Sequence, residues 1–391
     1  MPLMLAKCPS CGGSLTLEDS RKSAVCPYCN SQVLVEQAIN NYQITNNVTV
    51  GAGATVNVYG GANNDFEIVG GVLKKYTGAA TDVTIPDNVT AIGVEVFKGH
   101  TGLKSVNIPD SVTQIGWGAF AGCTALTTVV LPDCVNILDW AFKGCTSLKN
   151  VRVSHRYSHY LRETSIGGYA FKGCENLISL SLPGSITKIE ASPYHAFQGC
   201  GKIQQLDIGN LAAWCENENA GFQEIPIASG CQLYVNGELI TELVIPNGVK
   251  KIRAGAFAGF DITGVVIPDS VTEIEAGTFK NHTSITSIIM PNSITQIGDH
   301  AFFDCRSLMN ITLPESLEYI GAWAFDGCTR LTSVVIPENV MEIEAYAFSH
   351  CTGLRSITFG NPGVNVGYEI CGGCTNLKKI QPHSMKKRIL Y

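Results

Sequence analysis

Four cysteines near the start of the chain stand in two pairs, Cys8-Pro-Ser-Cys11 and Cys26-Pro-Tyr-Cys29, with 14 residues between Cys11 and Cys26. Two thiolates on one tight turn share a metal ion, and a second such turn completes a tetrahedron. The spacing therefore predicts one structural Zn2+ per chain, held by Cys8, Cys11, Cys26 and Cys29. The glycines after Cys11 let backbone amides approach the sulfurs. A redox dithiol is the competing chemistry. Between the pairs, Leu15-Thr-Leu17 and Ala24-Val25 read as the strands of a hairpin around the polar turn 18–22.

Other reactive side chains form no pattern. His100 and His282 occupy one recurring position, His350 precedes Cys351, His300 sits in a regular stretch and His383 in the tail. His155, His159 and His195 fall in or near irregular stretches, where loop residues and a small cluster are the two readings. No Ser-His-Asp, His-Glu-x-x-His, Walker or dinucleotide-binding pattern accompanies them, so no enzyme is expected.

The elements that would position these residues follow from a repeat. The prolines at 86, 109 and 132 are 23 residues apart, and those at 246, 268, 291, 314 and 337 step by 22 or 23. Each unit continues as in Val112-x-x-Ile115, Ala119-Phe120, Gly122-Cys123 and Leu126-x-x-Val129-x-Leu131. Val129 and Leu131 alternate onto one face of a short strand, and the proline ends it because it cannot donate to a ladder. Val112-x-x-Ile115 returns along the other side, and Phe120 fills the core. One unit cannot bury its own apolar face, so stacked units must share a core.

These residues closely resemble the BspA-type leucine-rich repeat family over residues 66 to 382, and residues 5 to 37 resemble a zinc ribbon. The family resemblance implies a curved solenoid with a parallel sheet on one face, and a role in binding other molecules. The expected fold is mostly β: about 12 coils of about 23 residues behind a small zinc-ribbon domain. The expected divisions are a ribbon at 1–37, a linker or strand pair at 38–65, a first repeat block at 66–210, an irregular bridge at 211–232, a second block at 233–382 and a basic tail at 383–391. Each block is expected to open with a hairpin.

Eight cysteines share one repeat position: Cys123, Cys145, Cys174, Cys200, Cys305, Cys328, Cys351 and Cys374. Equivalent residues in adjacent coils lie about 4.8 Å apart with parallel Cβ vectors, whereas a disulfide needs converging ones. They are read as reduced core residues, for which serine is expected to cost more than alanine or valine. Cys134, Cys215, Cys231 and Cys371 have no assigned role.

The chain has 391 residues, 45% of them apolar and 15% charged, with net charge −6. That composition excludes a wholly disordered chain, and the acidic balance disfavours nucleic acid as a partner. The first 37 residues carry equal numbers of acidic and basic groups, where phosphate binding needs a basic face. No apolar run is long enough for a signal peptide or a membrane span, so a cytoplasmic protein without membrane insertion is expected. The resemblance implies many relatives that are surface proteins or adhesins, and the expected lack of a signal peptide sets this chain apart from them.

The favoured expectation is a non-enzymatic scaffold that binds a protein partner. Ranked below it are a ribbon-dependent nucleic-acid-binding regulator and an adhesin-like protein exported without a signal. The partner is expected on the open concave face, where Val244, Val266, Ile289, Thr312 and Val335 would form an apolar stripe flanked by small residues. The counterparts in the first block, Asn107, Val130, Arg152, Ser181 and Asp207, are mostly polar.

Overall fold

The computed structural model describes residues 65–382 and Ser384, except 155–163, 185, 191–192, 202 and 217–224, together with six short strands within the first 64 residues. The chain winds as a β-solenoid of about 13 turns, against the 12 expected.

Each turn has three sides. One is a short strand such as Ser105–Asn107, Thr128–Leu131 or Asn150–Val153, stacked in parallel register on its counterparts. The second is a two-residue strand such as Ala91–Ile92, Gln114–Ile115 or Asn136–Ile137, again parallel and in register. Proline turns the corner between them: Val89 donates its N–H to Pro86 O at 3.0 Å and Val112 to Pro109 O at 3.0 Å. The third side carries the Ala-Phe turn, where Phe97 N–H reaches Ala119 O and Phe120 N–H reaches Ala141 O, each at 2.7 Å. Every side is thus stitched to the next coil by backbone hydrogen bonds, which leaves few buried donors or acceptors to satisfy otherwise.

The core is a continuous column. Phe97, Phe120, Phe142, Phe171 and Phe197 stack at centroid spacings of 4.9–5.2 Å, and Phe257, Phe279, Phe302, Phe325 and Phe348 at 5.1–5.7 Å. The ring spacing follows the rise of the coils, so each ring lies flat against its neighbours. Isoleucine, leucine and valine from the two ladders close around the column.

The column is capped at its N-terminal end. Strands β1 (Leu3–Lys7) and β2 (Ser14–Glu18) pair with each other, as do β3 (Ser23–Val25) and β4 (Gln32–Leu34), both antiparallel. The expected hairpin between Leu15–Leu17 and Ala24–Val25 is therefore replaced by two separate ones. In the sequence, one Cys-x2-Cys pair falls between the strands of each hairpin. Next, β5 (Thr45–Val50) and β6 (Ala54–Tyr59) form a hairpin, β6 pairs with β7 (Phe66–Val69), and β7 pairs with β8 (Val72–Tyr76). Because β8 pairs in parallel with Ala91–Ile92, these antiparallel strands cover what would be an open edge.

The repeat breaks between the two blocks. The long ladder of the first block ends in the hairpin Ile227–Val235 and Glu238–Ile240, turned by Asn236 at φ 53° and Gly237 at φ 83°. Two positive-φ residues suit the right-handed twist of the flanking strands. Gly70 and Gly71 turn the hairpin of β7 and β8 in the same way. Within the expected bridge at 211–232, residues Leu211–Glu216 form helix α1, with Trp214 and Cys215 buried. Trp214 donates its indole N–H to Ala256 O at 2.8 Å, and Arg253 donates Nε–H to Trp214 O at 2.7 Å. Arg253 N–H also reaches Cys215 O at 2.8 Å. These contacts seat the helix on the first coil of the second block.

Candidate functional site

The outward residues of the second block's long ladder are placed by strand alternation. In Glu242–Val244, Gly264–Val266 and Ser287–Ile289, the central residues Leu243, Val265 and Ile288 point into the core. Val244, Val266 and Ile289 point outward and lie in direct parallel register. Val244 is 61% exposed, Ile289 62%, and Val266 between them 38%. Val335 is 63% exposed on Ser333–Ile336, where it pairs with Thr358.

Two features depart from the expected stripe. No strand forms at 310–312, so the ladder divides into the three strands at 242–289 and the three at 333–381. Thr312 is exposed but lies in that gap, and Ile311 is half-buried where its counterparts are sealed. In that gap Asn310 Oδ1 accepts from Thr332 Oγ1 at 3.4 Å. The flank is also less open than expected. Gly264 is buried, and its missing Cβ would lie 3.7 Å from Glu242 Cγ. A carboxylate side chain therefore leans along the first part of the stripe.

In the first block Asn107 and Arg152 are exposed and Val130 and Ser181 half-exposed. Asp207 is buried instead, because the Asn236–Gly237 turn folds over it and Gly237 N–H donates to its Oδ1 at 3.1 Å.

The repeat cysteines face the other way. Each thiol donates to the carbonyl of the ladder phenylalanine one coil earlier: Cys123 to Phe97 O at 3.0 Å, Cys145 to Phe120 O and Cys351 to Phe325 O at 3.2 Å. That carbonyl already accepts the N–H of its own coil's cysteine, as Phe120 O does from Cys123 at 3.1 Å, so the thiol engages its second lone pair. Burial pushes the thiols of Cys123 and Cys200 up to about 12, and those of Cys145 and Cys174 further up. Such groups make poor nucleophiles.

The sequence reading missed an aromatic row two residues before the ladder phenylalanines. Trp140, Tyr169, His300, Trp323 and Tyr346 all adopt positive φ, between 52° and 62°, where Gly118, Gly255 and Gly277 stand in other coils. Trp323 stacks on His300 at 5.0 Å and on Tyr346 at 5.3 Å. Lys143 Nζ lies 3.6 Å from the centre of the Trp140 ring. The recurrence of an aromatic at a fixed offset from phenylalanine was the available signal.

Cys8, Cys11, Cys26 and Cys29 lie outside the described residues, as do His155 and His159. Among the described residues no group of three or more His, Cys, Asp or Glu is arranged to hold a metal ion, and no helix is long and apolar enough to cross a membrane.

The pattern described as BspA type Leucine rich repeat region, in six copies, matches residues 74–163, 161–285 and 272–390. Among solved structures, a leucine-rich repeat protein from Bacteroides ovatus is 22% identical, covering 88% of this chain and 95% of its own, with a TM-score of 0.48. The pneumococcal vaccine antigen PcpA is 15% identical over 88% of this chain and 96% of its own, with a TM-score of 0.47. A leucine rich cell surface protein from Faecalibacterium prausnitzii is 22% identical over 88% and 97%, with a TM-score of 0.37. No curated protein matches.

Proposed function

The chain belongs to the BspA-type leucine-rich repeat family, and from that premise we propose that it is a non-enzymatic scaffold seating a protein partner on the second block's long ladder. The observation that carries this reading is the in-register row Val244, Val266 and Ile289, extended past the gap by Val335. β-Branched residues suit a sheet wherever they stand. Exposed in a contiguous row, they also leave apolar surface that a partner would remove from water.

The zinc ribbon belongs to the same reading. Each Cys-x2-Cys pair falls between the strands of its own antiparallel hairpin, which fits two thiolate turns facing one metal. Zn2+ would tie these two small hairpins together, a structural role.

The test uses the full chain carrying Val266→Asp with Ile289→Asp. Both side chains point outward, so melting should match the wild type. Recovery of a partner protein by the wild-type chain should be lost in the variant, and binding should respond weakly to salt. A steep salt dependence would instead favour the nucleic-acid reading. Undiminished capture by the double variant would remove the stripe as the binding surface.

A further inference from the structure

The last turn breaks the repeat at one point. Where other coils read Ala-Phe-x-x-Cys, it reads Ile370-Cys371-Gly372-Gly373-Cys374. Cys371 thus stands at the ladder-phenylalanine position and is buried, whereas Cys374 is half-exposed. One turn joins them, with Cys374 N–H donating to Cys371 O at 3.2 Å. Such a turn holds its end Cα atoms within about 7 Å, and disulfides span roughly 4.4–6.8 Å. Cys351 holds the Cys374 position one coil earlier, and the three are unbridged.

The surroundings favour a charge on Cys374. The neighbouring thiols of Cys351 and then Cys371 pull its pKa down, and His350 adds to this, in contrast to the upward shifts at Cys123 and Cys200. Cys374 is the least covered of the three, so a thiolate there is the one that water can best solvate. His350 is held by Asp326, Nδ1 to Oδ1 at 2.8 Å. Its ring lies against Gly373, where a Cβ would come within 2.9 Å of Cδ2. Glu369, near Gly372, is the opposing carboxylate. When protonated, Cys374 donates to Phe348 O at 3.1 Å.

We propose that Cys374 and Cys371 form a redox-active dithiol that exchanges with low-molecular-weight disulfides, Cys374 attacking and Cys371 resolving. The Cys374 thiolate attacks one sulfur of the disulfide RSSR, forming a mixed disulfide and releasing RS−, which takes up a proton. Cys371 then attacks Cys374 Sγ, its proton passing to the second RS−, which leaves as RSH. Two protein thiols are oxidised to one disulfide, and RSSR is reduced to two RSH. Cys371 needs no access from solvent, because its step is intramolecular.

The test begins with the reduced full-length wild type. A brief pulse of iodoacetamide at pH 6, mapped by peptide mass, should label Cys374 at least tenfold more than Cys134 and Cys200, which are also half-exposed. Oxidised glutathione should then yield peptide 371–374 lacking two hydrogens. In Cys371→Ala the product should stop as a glutathione adduct on Cys374, and Cys374→Ser should give neither. Labelling of Cys374 within twofold of Cys134 and Cys200 would overturn the proposal, as would a persistent adduct on wild-type Cys374. Both of those readouts come from the wild-type chain, so they hold even if a variant folds poorly.

Discussion

His282 Nε2 bonds to the carbonyl oxygen of Phe257 one coil earlier, the bond that a cysteine thiol makes in eight other coils. The substitution satisfies the carbonyl and leaves His282 Nδ1 buried without a hydrogen-bond partner. Two other coils lack the cysteine: His100 belongs to the first, and Phe260 to the coil that follows the seam.

Burial pushes the His282 pKa down from 6.5 to about 4. The unfolded chain therefore binds more protons than the folded one between those values. This contribution to stability is complete above about pH 6.5 and is lost as pH falls toward 4, by about 3 kcal/mol in all. Urea melts from pH 7 to pH 4.5 should show a shallower fall for His282→Cys than for the wild type. The same variant should be the more stable at pH 7, by about 1 kcal/mol, since no buried nitrogen is left unpaired.

Cys328 donates to Phe302 O at 3.3 Å. That bond reverses the order expected from the sequence. Serine keeps a donor and should cost about 1 kcal/mol, whereas valine leaves the second lone pair of Phe302 O unmet and should cost about 2 kcal/mol. Equilibrium denaturation of Cys328→Ser and Cys328→Val decides the sign of the difference.

Trp323 and Glu95 share the positive-φ position, at 52° and 54°, yet glycine should act oppositely at the two. Trp323→Gly relieves about 1 kcal/mol of backbone strain but removes two ring stacks worth about 0.5–1.5 kcal/mol each. It should destabilise the chain by about 1 kcal/mol once buried ring area is included. Glu95→Gly loses only the exposed ion pair with Lys98 and should be neutral or slightly stabilising. Thermal melts of the two variants side by side provide the comparison.

Metal analysis of the purified full chain should return about one equivalent of zinc, and the double variant Cys8→Ser with Cys11→Ser should return almost none. Retention of the metal by that variant would remove the four cysteines as its ligands.

The repeat made most of the fold legible. Proline at 23-residue steps, the ladder phenylalanines and strand alternation together dictate which side chains face inward, and Val244, Val266 and Ile289 follow from that alone. What the repeat did not carry is set by local partners. The missing strand at 310–312 accompanies a side-chain bond from Thr332 to Asn310, and the burial of Asp207 depends on a hairpin 30 residues later. Cys371 went unread because it sits where phenylalanine should. Its meaning lies in which neighbour it replaces.

The seam at Trp214 has a consequence for how such a chain can change in length. Within 242–381, apart from the gap at 310–312, the coils meet through recurring backbone bonds, so removing or duplicating one whole 22- or 23-residue unit away from that gap rejoins like to like. Across the seam the fit is made by particular side chains, Trp214 on Ala256 and Arg253 on Trp214. A unit inserted there would meet a surface made for something else. Length is therefore free to vary on either side of residues 211–240, and that segment works as a fixed joint.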